Sequence, residues 1–181
     1  MQYIHHYSSP LGKIILAADE IGFSGLWFDG QKNSALYLEK EREEKALPIF
    51  DGAKHWLDVY FSGREPRFKF PLHFTGSDFQ NEVWEILASL PYGHTATYGE
   101  IAGQIAKKRG LARISAQAVG GAVAKNKIAI IVPCHRVVGA GGNLTGYAGG
   151  LERKLALLKL EKVNTENFFA PKKEPRHPYA P

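Results

Sequence analysis

The sequence predicts an α/β chain of the α+β kind in two domains. Residues 1–75 form a small N-terminal domain of antiparallel sheet and helix, and residues 76–165 a mainly helical domain containing a helix-turn-helix. Three observations lead there. Two β-rich runs with a turn signal between them lie near the N-terminus. Two capping boxes open apolar-periodic stretches in the second half. The charge is also unevenly divided. Residues 1–75 carry 9 Lys+Arg against 10 Asp+Glu, and residues 76–165 carry 11 against 6, which puts most of the net +5 in the second domain. A basic domain beside a near-neutral one suggests a polyanion partner.

Taken in order, residues 13–18 and 23–28 are strand-like, and Asp19-Glu20-Ile21-Gly22 between them reads as the turn of a hairpin. Residues 39–45 are a mixed-sign run of good helix formers, read as a solvated face that Pro48 closes. Ala53, Trp56, Leu57, Tyr60 and Phe61 then fall at helical spacing, which places them and His55 in the core or at its rim. Residues 63–71 are turn-rich, and the junction is expected near 72–76.

Ser77-x-x-Gln80 opens a helix whose face is Phe79, Val83, Ile86, Leu87 and Leu90, with Pro91 after it. Thr97-x-x-Glu100 starts a shorter helix running to about Lys107. A basic connector at 108–113 leads to Ser115, the N-cap of a third helix reaching Lys125. Two short helices joined by a tight basic turn describe a helix-turn-helix. The third helix is almost without side chains, through Ala116, Ala118, Gly120, Gly121, Ala122 and Ala124. Each glycine costs helix stability up to ~1 kcal/mol, so close packing or close approach to a groove must compensate. After Asn126 an extended run reaches Pro133-Cys134. A last amphipathic helix carries Leu151, Leu155, Leu158 and Val163. Residues 166–181, rich in proline, read as a tail without a core of its own.

Composition narrows the function classes. At 44% hydrophobic and 23% charged the chain is of ordinary globular type. A single cysteine excludes an intrachain disulfide and fits a reducing compartment, so a cytoplasmic location is expected. The first residues lack a signal-peptide pattern, and no apolar run approaches the ~18 residues of a membrane span. His5, His6 and His73 have no partners at metal-ligand spacing. The glycines at 139–150 fit neither a phosphate-binding loop nor a dinucleotide fingerprint, so no nucleotide cofactor is expected.

The chemistry concentrates at Val132-Pro133-Cys134-His135-Arg136-Val137-Val138, which holds the one cysteine. Proline fixes the backbone before the thiol, a titratable imidazole follows it, and a glycine-rich loop comes next. Those are the surroundings of a reactive thiol rather than an inert core cysteine. The Pro-Cys-His-Arg-Val element resembles that of the DNA alkylguanine alkyltransferases, the methylated-DNA–protein-cysteine methyltransferases. So do Gly146-Tyr147-x-Gly149-Gly150, Lys154-x-x-Leu157-Leu158-x-x-Glu161, Tyr98-Gly99-Glu100-Ile101-Ala102 and Ala118-Val119-Gly120-Gly121-Ala122 leading to Asn126. The resemblance spans about residues 76–165. It extends more loosely to the N-terminal domain, through Ser9-Pro10-Leu11-Gly12, where it implies a ribonuclease H-like fold.

The resemblance implies direct-reversal DNA repair. Cys134 takes the alkyl group from O6-alkylguanine, and from O4-alkylthymine, irreversibly and without a cofactor, on duplex DNA entered from the minor groove; a monomer is the general expectation for such a chain. The resemblance also implies a relay of Cys134, water, His135 and Glu161, a hinge at Asn126, and base rotation helped by Tyr98. The flipped base would be held by Tyr147, Gly146, Val123 and backbone near Val137 and Ala148. DNA contacts would come from Arg113, Ser115, Ala116, Gln117, Gly120 and Arg136. Gln117 stands where relatives commonly carry an arginine finger, and Lys127 where a proline often follows the hinge. Two rival readings remain at this stage. One is a non-catalytic protein that binds alkylated bases, against which Cys134 itself argues. The other is a cysteine hydrolase, which would not need the helix-turn-helix.

Overall fold

In the computed structural model, which describes residues 1–170, the first half is a four-stranded sheet with a helix across one face. The hairpin forms as expected: β2 (Gly12–Ala18) and β3 (Phe23–Phe28) are antiparallel, with Leu16 opposite Leu26 and Ile15 opposite Trp27. Period-two alternation sorts their side chains. Ile14, Leu16, Leu26 and Phe28 join the main core, while Ile15, Ala17 and Trp27 form a small second cluster under Tyr37 and Leu38. Two features of the sheet depart from expectation. An unforeseen strand, β1 (Gln2–Ser9), pairs along its whole length with β2. The 39–45 run is not helical: Arg42–Glu44 is a short exposed edge strand, β4, parallel to β1. It has helix propensity but no apolar face to bury, and propensity alone does not hold a helix this short. As a charged strand it also blunts the sheet edge.

Pro48 opens a helix rather than closing one, standing first in α1 (Pro48–Phe61), where its missing N–H costs nothing. Ala53, Leu57 and Tyr60 are buried as the spacing predicts. His55 is exposed instead, stacked on Phe68 at 4.9 Å between ring centroids.

The second half is mainly helical. α2 (Asp78–Ser89) and α3 (Tyr98–Arg109) both carry complete capping boxes, from Ser77 with Gln80 and from Thr97 with Glu100. Gly110, left-handed at φ 65°, ends α3, and Ser115 caps α4 (Ala116–Ala124). The helix-turn-helix is therefore present. Trp84 of α2 donates from its indole to Ala122 O at 2.9 Å and pins α4 in place. A two-stranded parallel ladder of β5 (Ala96–Thr97) and β6 (Val137–Val138) ties the start of α3 to the segment after Cys134.

Residues 127–134 are not the extended run expected. Ile130 is left-handed (φ 67°), and bonds from Val132 N to Ile128 O and from Cys134 N to Val132 O fold the segment into successive tight turns. Cys134–Arg136 is itself a turn of 3-10 helix. α5 (Leu151–Leu160) follows. The start of the expected tail belongs to the fold: Phe168 packs on the cluster of Val138, Leu144 and Leu158, and Leu144 N bonds to Phe169 O. The rest of that tail, 171–181, lies outside the described residues.

The two halves share one core. A single cluster runs from Leu16, Phe23 and Leu57 through Val83 and Ile105 to Cys134 and Leu157. Backbone bonds from Leu26 N to Lys127 O and from Ala129 N to Leu26 O stitch β3 to the turns that precede the cysteine. Among the described residues, no helix is long and apolar enough to cross a membrane.

Candidate active site

Cys134 lies at the wall of a small cavity of about 70 Å³. The cavity is lined by α4 through Gly120, Val123 and Ala124, by Tyr98 at the start of α3, by Asn126, and by the loop Gly146, Tyr147, Ala148 and Gly149. Six of the lining residues expected to handle substrate (Tyr98, Val123, Asn126, Gly146, Tyr147 and Ala148) thus meet around the thiol. Gln31 also lines it, from the turn after β3. The Tyr147 hydroxyl is shielded from solvent with no hydrogen-bond partner among the described residues.

Cys134 is 8% exposed. Burial pushes its pKa up, and the Asn126 side chain and the Lys154 ammonium pull the other way without reversing the direction. Cys134 therefore rests as a thiol and needs a base. Asn126 accepts from Ile128 N at 3.0 Å and donates to Val132 O at 2.8 Å, so its amide braces the turn that presents the cysteine. Lys154 is fully buried and donates to Val137 O and Thr145 O at 2.6 and 2.9 Å, joining the segment after the cysteine to the cavity loop.

His135 is completely buried. Its Nε2 lies 2.6 Å from Glu161 Oε1, and its Nδ1 has no partner among the described residues. Burial depresses the imidazole pKa, although Glu161 works against that, so the ring is neutral at pH 7. A neutral ring facing a carboxylate must carry its proton on Nε2, which leaves the Nδ1 lone pair as the basic site. Glu161 is ionised. Burial would raise its pKa, but the hydrogen bonds from His135 and Arg136 outweigh that and bring it to about 2. The solvated surface glutamate that its place after a helix suggests is not what the fold builds: Glu161 is 2% exposed.

Two expected site residues do something else. Arg136, expected among the DNA contacts, is directed inward. It is 7% exposed, its Nε and Nη2 bond Glu161 at 2.8 and 3.1 Å, and its Nη1 bonds Leu90 O. A lone arginine beside a buried carboxylate is drawn inward as its counter-ion. Val137 does not line the cavity either. It is fully buried, and its carbonyl receives the Lys154 ammonium behind the cavity wall.

One residue of the site escaped the sequence reading. The Tyr60 hydroxyl of α1 donates to Glu161 Oε1 at 2.7 Å and lies 3.3 Å from His135 Nε2. Helical spacing had marked it only as core, and the available signal was a hydroxyl on a core-facing position that must find a partner.

On the outer face, Arg113, Ser115, Ala116 and Gln117 are exposed around the N-terminus of α4. Gly120 faces inward, with a hypothetical Cβ 3.7 Å from the Tyr98 ring, whereas nothing lies within 4 Å of one at Gly121. The helix presents an almost bare backbone outward. No group of three or more His, Cys, Asp or Glu able to hold a metal occurs among the described residues.

A helix-turn-helix backed by a buried cysteine, imidazole and carboxylate defines a DNA-binding protein type with a nucleophile behind its recognition helix. Residues 78–163 match the 6-O-methylguanine DNA methyltransferase, DNA binding domain, and residues 2–74 match the ribonuclease-like domain of the same family. The chain belongs to the 6-O-methylguanine DNA methyltransferase family. It is 44% identical over 163 residues to the methylated-DNA–protein-cysteine methyltransferase of Methanosarcina barkeri, covering 90% of this chain and 98% of that one. It is 52% identical over 154 residues to that of Mycolicibacterium paratuberculosis, covering 85% and 88%. Among solved structures, the Mycobacterium tuberculosis OGT in complex with DNA superposes with a TM-score of 0.77 at 42% identity, over 88% of this chain and 92% of that one.

Proposed function

We propose that this protein repairs alkylated DNA by direct reversal, moving the alkyl group of O6-alkylguanine, and of O4-alkylthymine, onto Cys134 in a single irreversible turnover. Duplex DNA is its partner, the cytoplasm its place of work, and no cofactor takes part. The observation that carries the reading is His135, locked on Glu161 through Nε2 with its Nδ1 unpartnered, beside a cysteine at the wall of a cavity lined by Tyr98, Tyr147 and α4.

The chemistry is an in-line displacement. The thiol proton passes through a water to His135 Nδ1. The sulfur lone pair forms the new S–C bond while the C–O6 bond breaks, and its electrons remain on guanine, which is reprotonated as it leaves. Tyr98, which lines the cavity, donates to that developing charge. A thiol this enclosed cannot touch a stacked base, so the nucleotide must be flipped out. α4 enters the minor groove, whose ~6 Å width suits its bare surface. Gln117 at its exposed N-terminus takes the place of the flipped base, as a hydrogen-bonding rather than charged finger. The product is a thioether, which thiol exchange does not reverse.

The test is a duplex carrying one methyl-labelled O6-methylguanine, followed by peptide mass analysis. One methyl per protein on the Cys134 peptide, absent in Cys134→Ala, is expected. Lesion binding without movement of label would favour a damage-recognition protein, and repeated conversion with the thiol free would overturn both.

A further inference from the structure

The Glu161 carboxylate is shared between the halves of the molecule. Its Oε1 accepts from Tyr60 at 2.7 Å, His135 at 2.6 Å and Arg136 at 3.1 Å, and its Oε2 from Arg136 at 2.8 Å and Gly93 N at 3.2 Å. Among those donor side chains, Tyr60 alone comes from the N-terminal half. It is fully buried, wedged against the rings of Trp56, Phe61, Tyr92 and His135. Burial and the neighbouring carboxylate hold its hydroxyl firmly protonated, so it can only donate to Glu161.

We propose that Tyr60 is a positioning residue of the proton relay: by donating to Glu161 Oε1 it draws off charge that the carboxylate would otherwise offer His135, and so keeps the imidazole neutral to lower pH. This rests on the reading that His135 takes the Cys134 proton. The other groups around the pair are Arg136 and Cys134 beside it in the chain, Tyr92 and Gly93 from the turn after α2, and Lys154 from α5. Arg136 and Lys154 also disfavour the imidazolium, but both remain in place when the hydroxyl is removed. The lost donor leaves Oε1 more negative, the imidazolium gains stability, and the His135 pKa rises. A relay that needs neutral His135 then loses activity at the acid end only.

The experiment is the single-turnover rate of methyl transfer by wild type and Tyr60→Phe, from pH 5 to 9 at saturating duplex. One hydrogen bond to a charged group corresponds to roughly a tenfold factor, so the acid limb should move up by about one pH unit. The rate below it should drop about tenfold while the alkaline plateau stays within about twofold. A uniform slowing at every pH, an unmoved limb or a downward shift would overturn the inference. NMR titration of the His135 ring nitrogens in both proteins measures the same shift without catalysis, and its signals also report whether the variant is folded. If wild type transfers no methyl group, the functional reading fails, while the NMR comparison still decides whether Tyr60 tunes His135.

Discussion

Replacing Glu161 by Gln removes one negative charge and almost no volume, at a residue 2% exposed. The carboxylate accepts five hydrogen bonds, three on Oε1 and two on Oε2. Whichever way the amide is turned, its NH2 group faces at least two donors, one of them the Arg136 guanidinium. Charge-assisted bonds of this kind contribute about 1.5–3 kcal/mol each, and they are not additive. The larger cost is Arg136 itself, 7% exposed and left without a counter-ion. Removing one partner of a buried pair costs about 3–5 kcal/mol, a large part of a stability of roughly 5–15. Urea unfolding followed by tryptophan fluorescence should show that loss as a lower midpoint. Adding Arg136→Met should recover about 1–3 kcal/mol of it, because the orphaned charge goes too. Methyl transfer should fall about 10³–10⁴-fold in both variants, since the imidazole loses the group that sets its tautomer. The pH dependence has a definite sign. Glu161 has a folded pKa of about 2 against an ordinary 4.5, so its ionisation stabilises the fold fully above pH 4.5. That contribution is lost as pH falls toward 2, and the gap between wild type and Glu161→Gln should close over that window. A loss under about 1 kcal/mol at pH 7, or a double variant weaker than the single one, would refute the reasoning.

Two further substitutions test the recognition helix and the sheet. Nothing lies within 4 Å of a Cβ at Gly121, so Gly121→Val should leave the thermal midpoint within a few degrees of wild type. Duplex affinity measured by fluorescence anisotropy should still fall more than tenfold, and unchanged affinity would mean that this face of α4 does not approach DNA. A Cβ at Gly25 would sit 2.2 Å from the Trp27 ring and 3.0 Å from Ala17, so Gly25→Ala should destabilise by about 1–3 kcal/mol in urea unfolding. A smaller effect would mean that Trp27 can move.

Where one local rule decided the outcome, the sequence was legible. The capping boxes at Ser77 and Thr97, the turn at residues 19–22 and the caps of α4 all formed as their residues dictate. The rest depended on tertiary context. Residues 39–45 had the right propensity for a helix and nothing to pack it against. β1 carries polar residues among its apolar ones, and becomes a strand because β2 offers it an edge. The left-handed Ile130 could not be read, since a β-branched residue is a poor candidate for positive φ and is held there by the bonds around it. In the site, Cys134 and His135 are legible from their own neighbourhood and the other members through the family resemblance, whereas Tyr60, 101 positions from Glu161, is marked by neither. The resemblance puts Arg136 among the DNA contacts, whereas the fold draws it inward as the counter-ion of Glu161.

A protein that uses its nucleophile once gains nothing from a thiol that is reactive at rest, and the geometry is consistent with that constraint. The usual route to a reactive cysteine lowers its pKa with a nearby cation or helix N-terminus. Here burial raises it, and Lys154, the cation that opposes this, is committed to the carbonyls of Val137 and Thr145. Reactivity must therefore come from the neighbouring base at the moment of reaction. In the proposed relay, His135 takes the proton through a water that joins it to the thiol. The sulfur can then attack only a carbon presented within the cavity walls of Tyr98, Tyr147 and α4. Selectivity follows from enclosure rather than from nucleophile strength. The relay must be basic enough to act on a bound lesion and weak enough to leave the thiol protonated otherwise, and that balance rests on how much charge Glu161 offers His135. A carboxylate bonded by α1, the turn after α2, the Cys134–Arg136 turn and the end of α5 ties that charge to the packing of both halves of the chain.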